Sequence, residues 1–156
     1  PCPDIYWTGA RSAPEVIEAY KQALDDIVKR AQAKGVHLVG YSGGAAIAAL
    51  AAARGDILSL RTVAGNLDYA AFTALHGISP MSGSIDPATV AEKIASIPQM
   101  HFIGNDDKTV PAEIFESWKR ASGSGACIRS TTVAAAHEKG WAEQWGALQK
   151  TAATCY

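Results

Sequence analysis

"VHLVGYSGGAAIAALAAARG", residues 36–55, passes from a β-branched apolar run, through one serine set among three glycines, into a segment made mostly of alanine. The run 36–40 suits a short strand buried on both faces. Residues 43–53 combine high helix propensity with small side chains, as suits a helix packed close to a sheet. Ser42 lies between them, bracketed by Gly40, Gly43 and Gly44. A tight strand-to-helix turn needs small residues on either side, because bulkier ones would strike the adjacent strand or helix. The stretch therefore predicts strand, turn and helix with a serine at the apex.

Outward from this centre the pattern repeats. Upstream, Pro14 follows Ser12 at a first-turn position, and Val16, Ile17, Tyr20, Leu24, Ile27 and Val28 recur at three- and four-residue spacing, predicting an amphipathic helix that Gly35 ends. Downstream, 58–66 ("LSLRTVAGN") reads as a second buried strand, 99–105 ("QMHFIGN") as a third, and 127–137 ("CIRSTTVAAAH") as a fourth that runs into a loop. Residues 67–98 are irregular, with one helix expected over "DPATVAEKIASI", and 66–98 is a candidate lid or insert. "PAEIFESWKRAS" is a helix with Pro111 at its start, and "WAEQWGALQKTAATC" a closing helix. Strands alternating with helices imply right-handed crossovers and a parallel sheet covered on both faces, a three-layer α/β domain spanning residues 1–156.

Composition narrows the function classes. A chain of 156 residues forms one domain at most and is long enough to bury a sizeable core. A net charge of −1 with scattered Lys and Arg gives no electrostatic case for nucleic acid. The longest apolar stretch, around 45–53, is far too short to cross a bilayer. Pro1 stands where an initiator Met would, which fits processing or truncation upstream. Cys2, Cys127 and Cys155 lack metal-type spacing, so no metal is expected. They read either as free thiols or, in an oxidising compartment, as one disulfide and one unpaired thiol. The topology selects the pair: Cys127 opens the last strand at the end away from the site, and a closing helix running back along that strand brings Cys155 beside it. Cys2 would then seek a partner outside this chain.

In such sheets ligands bind beyond the carboxyl ends of the strands. Ser42 follows the first strand, Asp106 and Asp107 the third, and His137 the fourth. A nucleophile, an acid and a base thus reach one edge from three loops, in the chain order of α/β-hydrolase triads. "GYSGG" fits the G-x-S-x-G nucleophile elbow, with Gly40, Ser42 and Gly44 in the fixed places. His37 and His101 lie inside strands and read as packing residues. His76 and Asp106 read respectively as a pocket candidate and a solvated or capping charge.

"GNDDKTVP" resembles the acid loop of α/β-hydrolases, G-x-x-D-x-x-V-P, with Gly104, Asp107, Val110 and Pro111 matching, which makes Asp107 the implied triad acid. More narrowly, "YWTGAR", "LVGYSGG", "TVAGNLDYAAFTALHGISPMSGS" and "HFIGNDDKTVP" resemble a group of bacterial envelope α/β-hydrolases. The resemblance covers about the whole chain and implies a serine hydrolase of esters or thioesters, working through Ser42, Asp107 and His137 with the Gly43 N–H as oxyanion donor and without a cofactor. It further implies a periplasmic, envelope or secreted location, with the cytoplasm as the alternative, a small acyl substrate, and Tyr41, Asn66, Asp68 and His76 as substrate-binding positions. Phe72 is a further pocket candidate.

The chain departs from that pattern in one respect. The family carries further strands before the elbow helix, and a loop among them supplies a second oxyanion donor. The sequence contains neither. An N-terminal segment or companion chain is therefore expected to complete the sheet beside residues 36–40, and activity of the chain alone is expected to suffer, since one such donor is worth about 10²–10³ in rate. The alternative reading is a non-catalytic binding or scaffold protein on the same fold, or one chain of a processed hydrolase that is inactive alone.

Overall fold

Four strands form one parallel sheet in the order β1-β2-β3-β4 in a computed structural model that describes residues 2–155; Pro1 lies outside the described residues. They are β1 (Val36–Tyr41), β2 (Ile57–Val63), β3 (Gln99–Gly104) and β4 (Ile128–Val133). The register runs Val36↔Ile57 to Tyr41↔Val63, Leu60↔Gln99 to Val63↔Phe102, and Gln99↔Ile128 to Gly104↔Val133. The carboxyl ends of all four strands consequently meet at one edge. Among the described residues five α-helices connect or flank them: α1 (Pro14–Ala31), α2 (Gly43–Ala51), α3 (Tyr69–His76), α4 (Ala112–Ser122) and α5 (Ala142–Leu148). The expected four-stranded parallel α/β architecture is the observed one.

The two faces of the sheet are packed unequally. One core cluster joins the α2 alanines Ala45, Ala48 and Ala49 to Leu60, Ala91, Ile94, Phe115 and Trp118, so α2 and α4 share that face. Alanines let α2 lie close to the strands, which a leucine-rich helix would not. The other cluster, Val63, Met100, Phe102, Val133 and Ala135, is closed by Trp141, Trp145 and Leu148 around α5. No helix covers the β1 end of this second face among the described residues, and His37, Val39 and Tyr41 are exposed there. The expectation that residues 36–40 are buried on both faces, and that His37 is a packing residue, is corrected accordingly. Apolar composition does not distinguish a central strand from an edge strand with one open face.

His101 meets its expectation as a core residue and carries a titration consequence. Gln99 Nε2 donates to Ile94 O, so Gln99 Oε1 is the acceptor for both Trp118 Nε1 (3.1 Å) and His101 Nε2 (3.1 Å). That fixes the proton on Nε2 and leaves Nδ1 to accept from Thr62 Oγ1 at 2.7 Å. Every polar atom is satisfied by a neutral ring, and burial drives the pKa down to about 3. The unfolded chain binds this proton near pH 6.5 and the folded one refuses it, so stability is lost as pH falls from about 6.5 toward 3, at about 1.4 kcal/mol per pH unit from this group. Urea unfolding between pH 7 and 4 should show a visibly shallower pH dependence in His101→Gln than in the parent. Parallel curves would refute the assignment.

Several boundaries differ from expectation for physical reasons. α1 stops at Ala31 because Gln32 adopts the left-handed conformation and its N–H bonds back to Val28 and Lys29 carbonyls, three residues before Gly35. The helix expected over 86–97 is a 3-10 turn, Pro87–Val90, followed by further turns. The Asp86 carboxylate there accepts from Tyr69 N and Ala70 N as well as Ala88 N. It thereby pins the segment to the start of α3, a helix not expected from the sequence. α5 ends at Leu148, well short of Cys155, and an irregular tail reaches back along the sheet, where Thr151 O accepts from Arg61. The Cys127–Cys155 disulfide is formed, with a Cα–Cα distance of 4.7 Å, and Cys2 is free and exposed.

Candidate active site

Ser42 occupies the turn between β1 and α2 with φ 52° and ψ −122°, a left-handed conformation that a non-glycine residue rarely adopts. Three backbone bonds hold it there: Ser42 N donates to Val63 O, and Ser42 O accepts from Ala45 N and Asn66 N. The turn is so tight that a Cβ on Gly40 would lie 2.5 Å from Ala45 Cα and Gly44 O. Gly43 and Gly44 face open space, so close approach requires only Gly40, and the expectation that all three glycines clear the turn is narrowed to one. Gly43 lines the cavity beside Ser42, and its N–H belongs to the first turn of α2, whose donors have no partner within the helix.

The loops after β3 and β4 bring in the other two groups. Asp107 is fully buried at its side chain, and its Oδ1 accepts from Thr109 N (2.9 Å) and Val110 N (2.8 Å). The remaining oxygen, Oδ2, lies 2.8 Å from His137 Nδ1. His137 Nε2 lies 2.9 Å from Ser42 Oγ. With a carboxylate on one side, Nδ1 carries the ring proton and Nε2 is left as the acceptor for the Ser42 hydroxyl. The main chain of residue 137 is itself held, since His137 O accepts from Tyr41 Oη (2.6 Å) and Trp141 Nε1 (3.0 Å). Asp106 is exposed and takes no part in this chain of contacts.

A cavity of about 570 Å³ opens beside Ser42 and Gly43, walled by Tyr69, Phe72, Ile78, Met81 and Val110 among others. Asn66 lines it; it is 7% exposed, and its buried Oδ1 has no hydrogen-bond partner among the described residues. The three other anticipated substrate positions lie outside its walls. Tyr41 borders a separate depression with Glu138 to Glu143, and burial holds its phenol above the usual tyrosine range. Asp68 caps α3 by accepting from Ala71 N and also accepts from Ser117 Oγ. His76 Nε2 donates to Thr109 O, and its ring packs on Phe72. Their polar groups are engaged in holding loops together.

Sequence reasoning missed Tyr69, which together with Phe72 walls the cavity from α3. The signal was present: Asp68 is an N-cap residue type ahead of a short apolar segment, and Gly77 follows in the left-handed position that ends helices. It also missed Thr8, Gly9 and Arg11 from "YWTGAR", which form another wall of the same cavity. No group of His, Cys, Asp and Glu capable of holding a metal ion occurs among the described residues.

A family model described as serine hydrolase (FSH1) matches residues 3–136, ending one residue before His137. No curated protein matches the chain. Among solved structures, an acetyl xylan esterase from Paenibacillus sp. R4 is similar with a TM-score of 0.69 at 15% identity, over 86% of this chain and 50% of that one. A Pyrococcus furiosus esterase is similar with a TM-score of 0.65 at 15% identity, over 85% and 58% respectively. A Paleococcus ferrophilus monoacylglycerol lipase follows with 0.58 at 16%, over 83% and 71%. At these identities the likeness is one of fold, and the chain spans only 50% and 58% of the length of the two esterases.

Proposed function

The chain belongs to the serine hydrolase (FSH1) family and has the α/β-hydrolase fold, and from that premise we propose that it cleaves small ester or thioester substrates through Ser42, His137 and Asp107. The observation that supports this reading is the unbroken chain of contacts, 2.9 Å from Ser42 Oγ to His137 Nε2 and 2.8 Å from His137 Nδ1 to Asp107 Oδ2, at the mouth of a largely apolar cavity.

In this mechanism Ser42 Oγ bonds to the substrate carbonyl carbon while His137 Nε2 takes the hydroxyl proton. The carbonyl electron pair moves onto oxygen, and the Gly43 N–H receives the developing charge, helped by the positive end of α2. Asp107 keeps the imidazole in the productive tautomer and stabilises the imidazolium. Collapse expels the alkoxide or thiolate, which takes the proton from Nε2 and leaves an acyl-Ser42 ester. Water then attacks that ester, giving its proton to Nε2, and the carboxylic acid departs as Ser42 regains its hydrogen. The protein's groups supply every proton transfer in this sequence.

A fluorophosphonate probe tests the assignment without any variant. The tryptic fragment 35–54 contains Tyr41 and Ser42 as its only hydroxyl side chains. Adduct mass on that fragment, localised to Ser42, is the expected result; labelling elsewhere or none would reject Ser42 as the nucleophile.

Two further elements of the reading follow from the fold. The outer edge of β1 pairs with no strand among the described residues, and Val39 beside it is half exposed. This supports an N-terminal segment or companion chain that pairs along that edge. The Cys127–Cys155 disulfide supports an oxidising location such as the periplasm or cell envelope.

A further inference from the structure

We propose that Arg11 is a specificity-determining residue that receives a carboxylate carried by the substrate, so that the preferred esters are those bearing a second, ionised carboxyl group. The inference rests on Ser42 being the reacting group. Of the residues lining the cavity beside Ser42, Arg11 is the only charged one. A cationic group in the otherwise neutral wall of the cavity that Ser42 also lines favours one class of ligand, namely anions.

Arg11 is also held and left unfilled. Its Nε donates to Trp7 O at 2.8 Å, which orients the guanidinium, while no ion pair or further hydrogen bond engages its terminal amino groups among the described residues. Arg54 provides the contrast within the same molecule, since its fork is occupied by Asp25 and Asp56. The backbone that carries Arg11 is clamped on both sides. Ala10 and Ser12 are buried, Ser12 N donates to Ser84 Oγ, Ser84 Oγ donates to Gly9 O, and Ile85 N donates to Ser12 O. A planar fork on a fixed mount is the geometry that binds a carboxylate through two parallel bonds.

Position strengthens the case. A second cavity of about 800 Å³, bounded by Trp7, Val16, Tyr20 and Ile47, shares Arg11 and Gly43 with the first. Arg11 thus stands where two apolar compartments meet at the residue following the nucleophile. The one carboxylate on the second wall, Glu15, already accepts from Tyr6 Oη at 2.5 Å, a bond that holds its pKa below the ordinary glutamate value. Glu15 is therefore engaged elsewhere. In the first cavity burial raises the Tyr69 phenol, the hydrogen bond with Ser12 and the Arg11 guanidinium oppose that rise, and the Asp86 carboxylate adds to it. One guanidinium, with no second cationic side chain on either wall among the described residues, matches a singly charged carboxylate better than a phosphate dianion.

The test compares two esters of equal chain length, p-nitrophenyl hydrogen glutarate and p-nitrophenyl valerate, on the protein and on Arg11→Gln and Arg11→Lys. The parent should favour the charged ester in kcat/KM. That preference should fall about 10- to 100-fold in Arg11→Gln, mostly through KM, with Arg11→Lys between the two. The ratio is insensitive to how much of each variant is folded. In parallel, calorimetry measures glutarate and methyl phosphate binding to Ser42→Ala with and without Arg11→Gln. Glutarate binding that requires Arg11, in a protein that turns over neither ester, would uphold the carboxylate site and sink the hydrolytic reading instead. Turnover with no preference for the charged ester overturns the proposal, as does tighter binding of methyl phosphate than of glutarate. The absence of both turnover and glutarate binding would overturn both.

Discussion

Ser42→Ala should lower kcat on p-nitrophenyl acetate on the order of 10⁶-fold, the scale on which a triad fails when its nucleophile is lost. The effect should be chemical and not structural. The Ser42 side chain caps nothing, and the turn is held by backbone bonds from residues 42, 45 and 66 that alanine retains. The His137 ring is 14% exposed at its side chain, so water can replace the lost hydroxyl on Nε2. A melting temperature close to the parent's is therefore expected alongside the loss of rate. A variant that keeps a tenth of the parental rate would remove Ser42 from the mechanism.

Asp107→Asn should cost about 10⁴ in kcat, and the reason lies in which oxygen does what. Oδ1 takes two backbone N–H bonds from Thr109 and Val110, so the amide oxygen of an asparagine must occupy that place. The amide nitrogen is then forced to face His137 Nδ1 as a donor. The imidazole must answer with the other tautomer, placing its proton on Nε2, where it can no longer accept from Ser42. Asp106→Asn, at an exposed carboxylate one residue away, should change kcat by less than about twofold, as surface substitutions usually do. Steady-state kinetics on both variants decide between the acids, and a larger loss for Asp106→Asn would reverse the assignment.

The fold was legible where a local pattern had only one physical outlet. A β-branched run, a glycine-bracketed serine and an alanine helix can hardly be arranged otherwise, and residues 36–55 fold as read apart from small boundary shifts. Ser42, Asp107 and His137 were locatable because each ends a strand or follows one, and parallel register carries those ends to one edge. What stayed hidden depended on partners distant in the chain. Asp86 turns residues 86–97 away from an α-helix because its carboxylate is committed to α3, seventeen residues earlier for the Tyr69 bond. Asp68 and His76 looked like pocket residues by proximity to β2, yet capping and a loop carbonyl engage them. The open face of β1 could not be read from an apolar stretch, since composition does not count neighbouring strands. Arg11 is beyond such reading as well, because nothing in "YWTGAR" says that its wall meets Ser42.

The Cys127–Cys155 bridge turns residues 127–155 into a closed covalent ring, and His137 is a bead on that ring while Ser42 and Asp107 lie on the open thread outside it. The bridge spans a sequence separation of 28, enough to withhold conformations worth about 3.6 kcal/mol from the denatured ensemble in the chain-entropy view. That gain is not spread evenly over the molecule. It falls on the part of the chain that carries His137, so even a denatured chain keeps that residue on a short leash to the start of β4. Reduction would slacken that leash alone, leaving the elbow and the acid loop under their own hydrogen bonds. Of the three groups, His137 is the one whose anchorage answers to the thiol–disulfide balance of the surroundings.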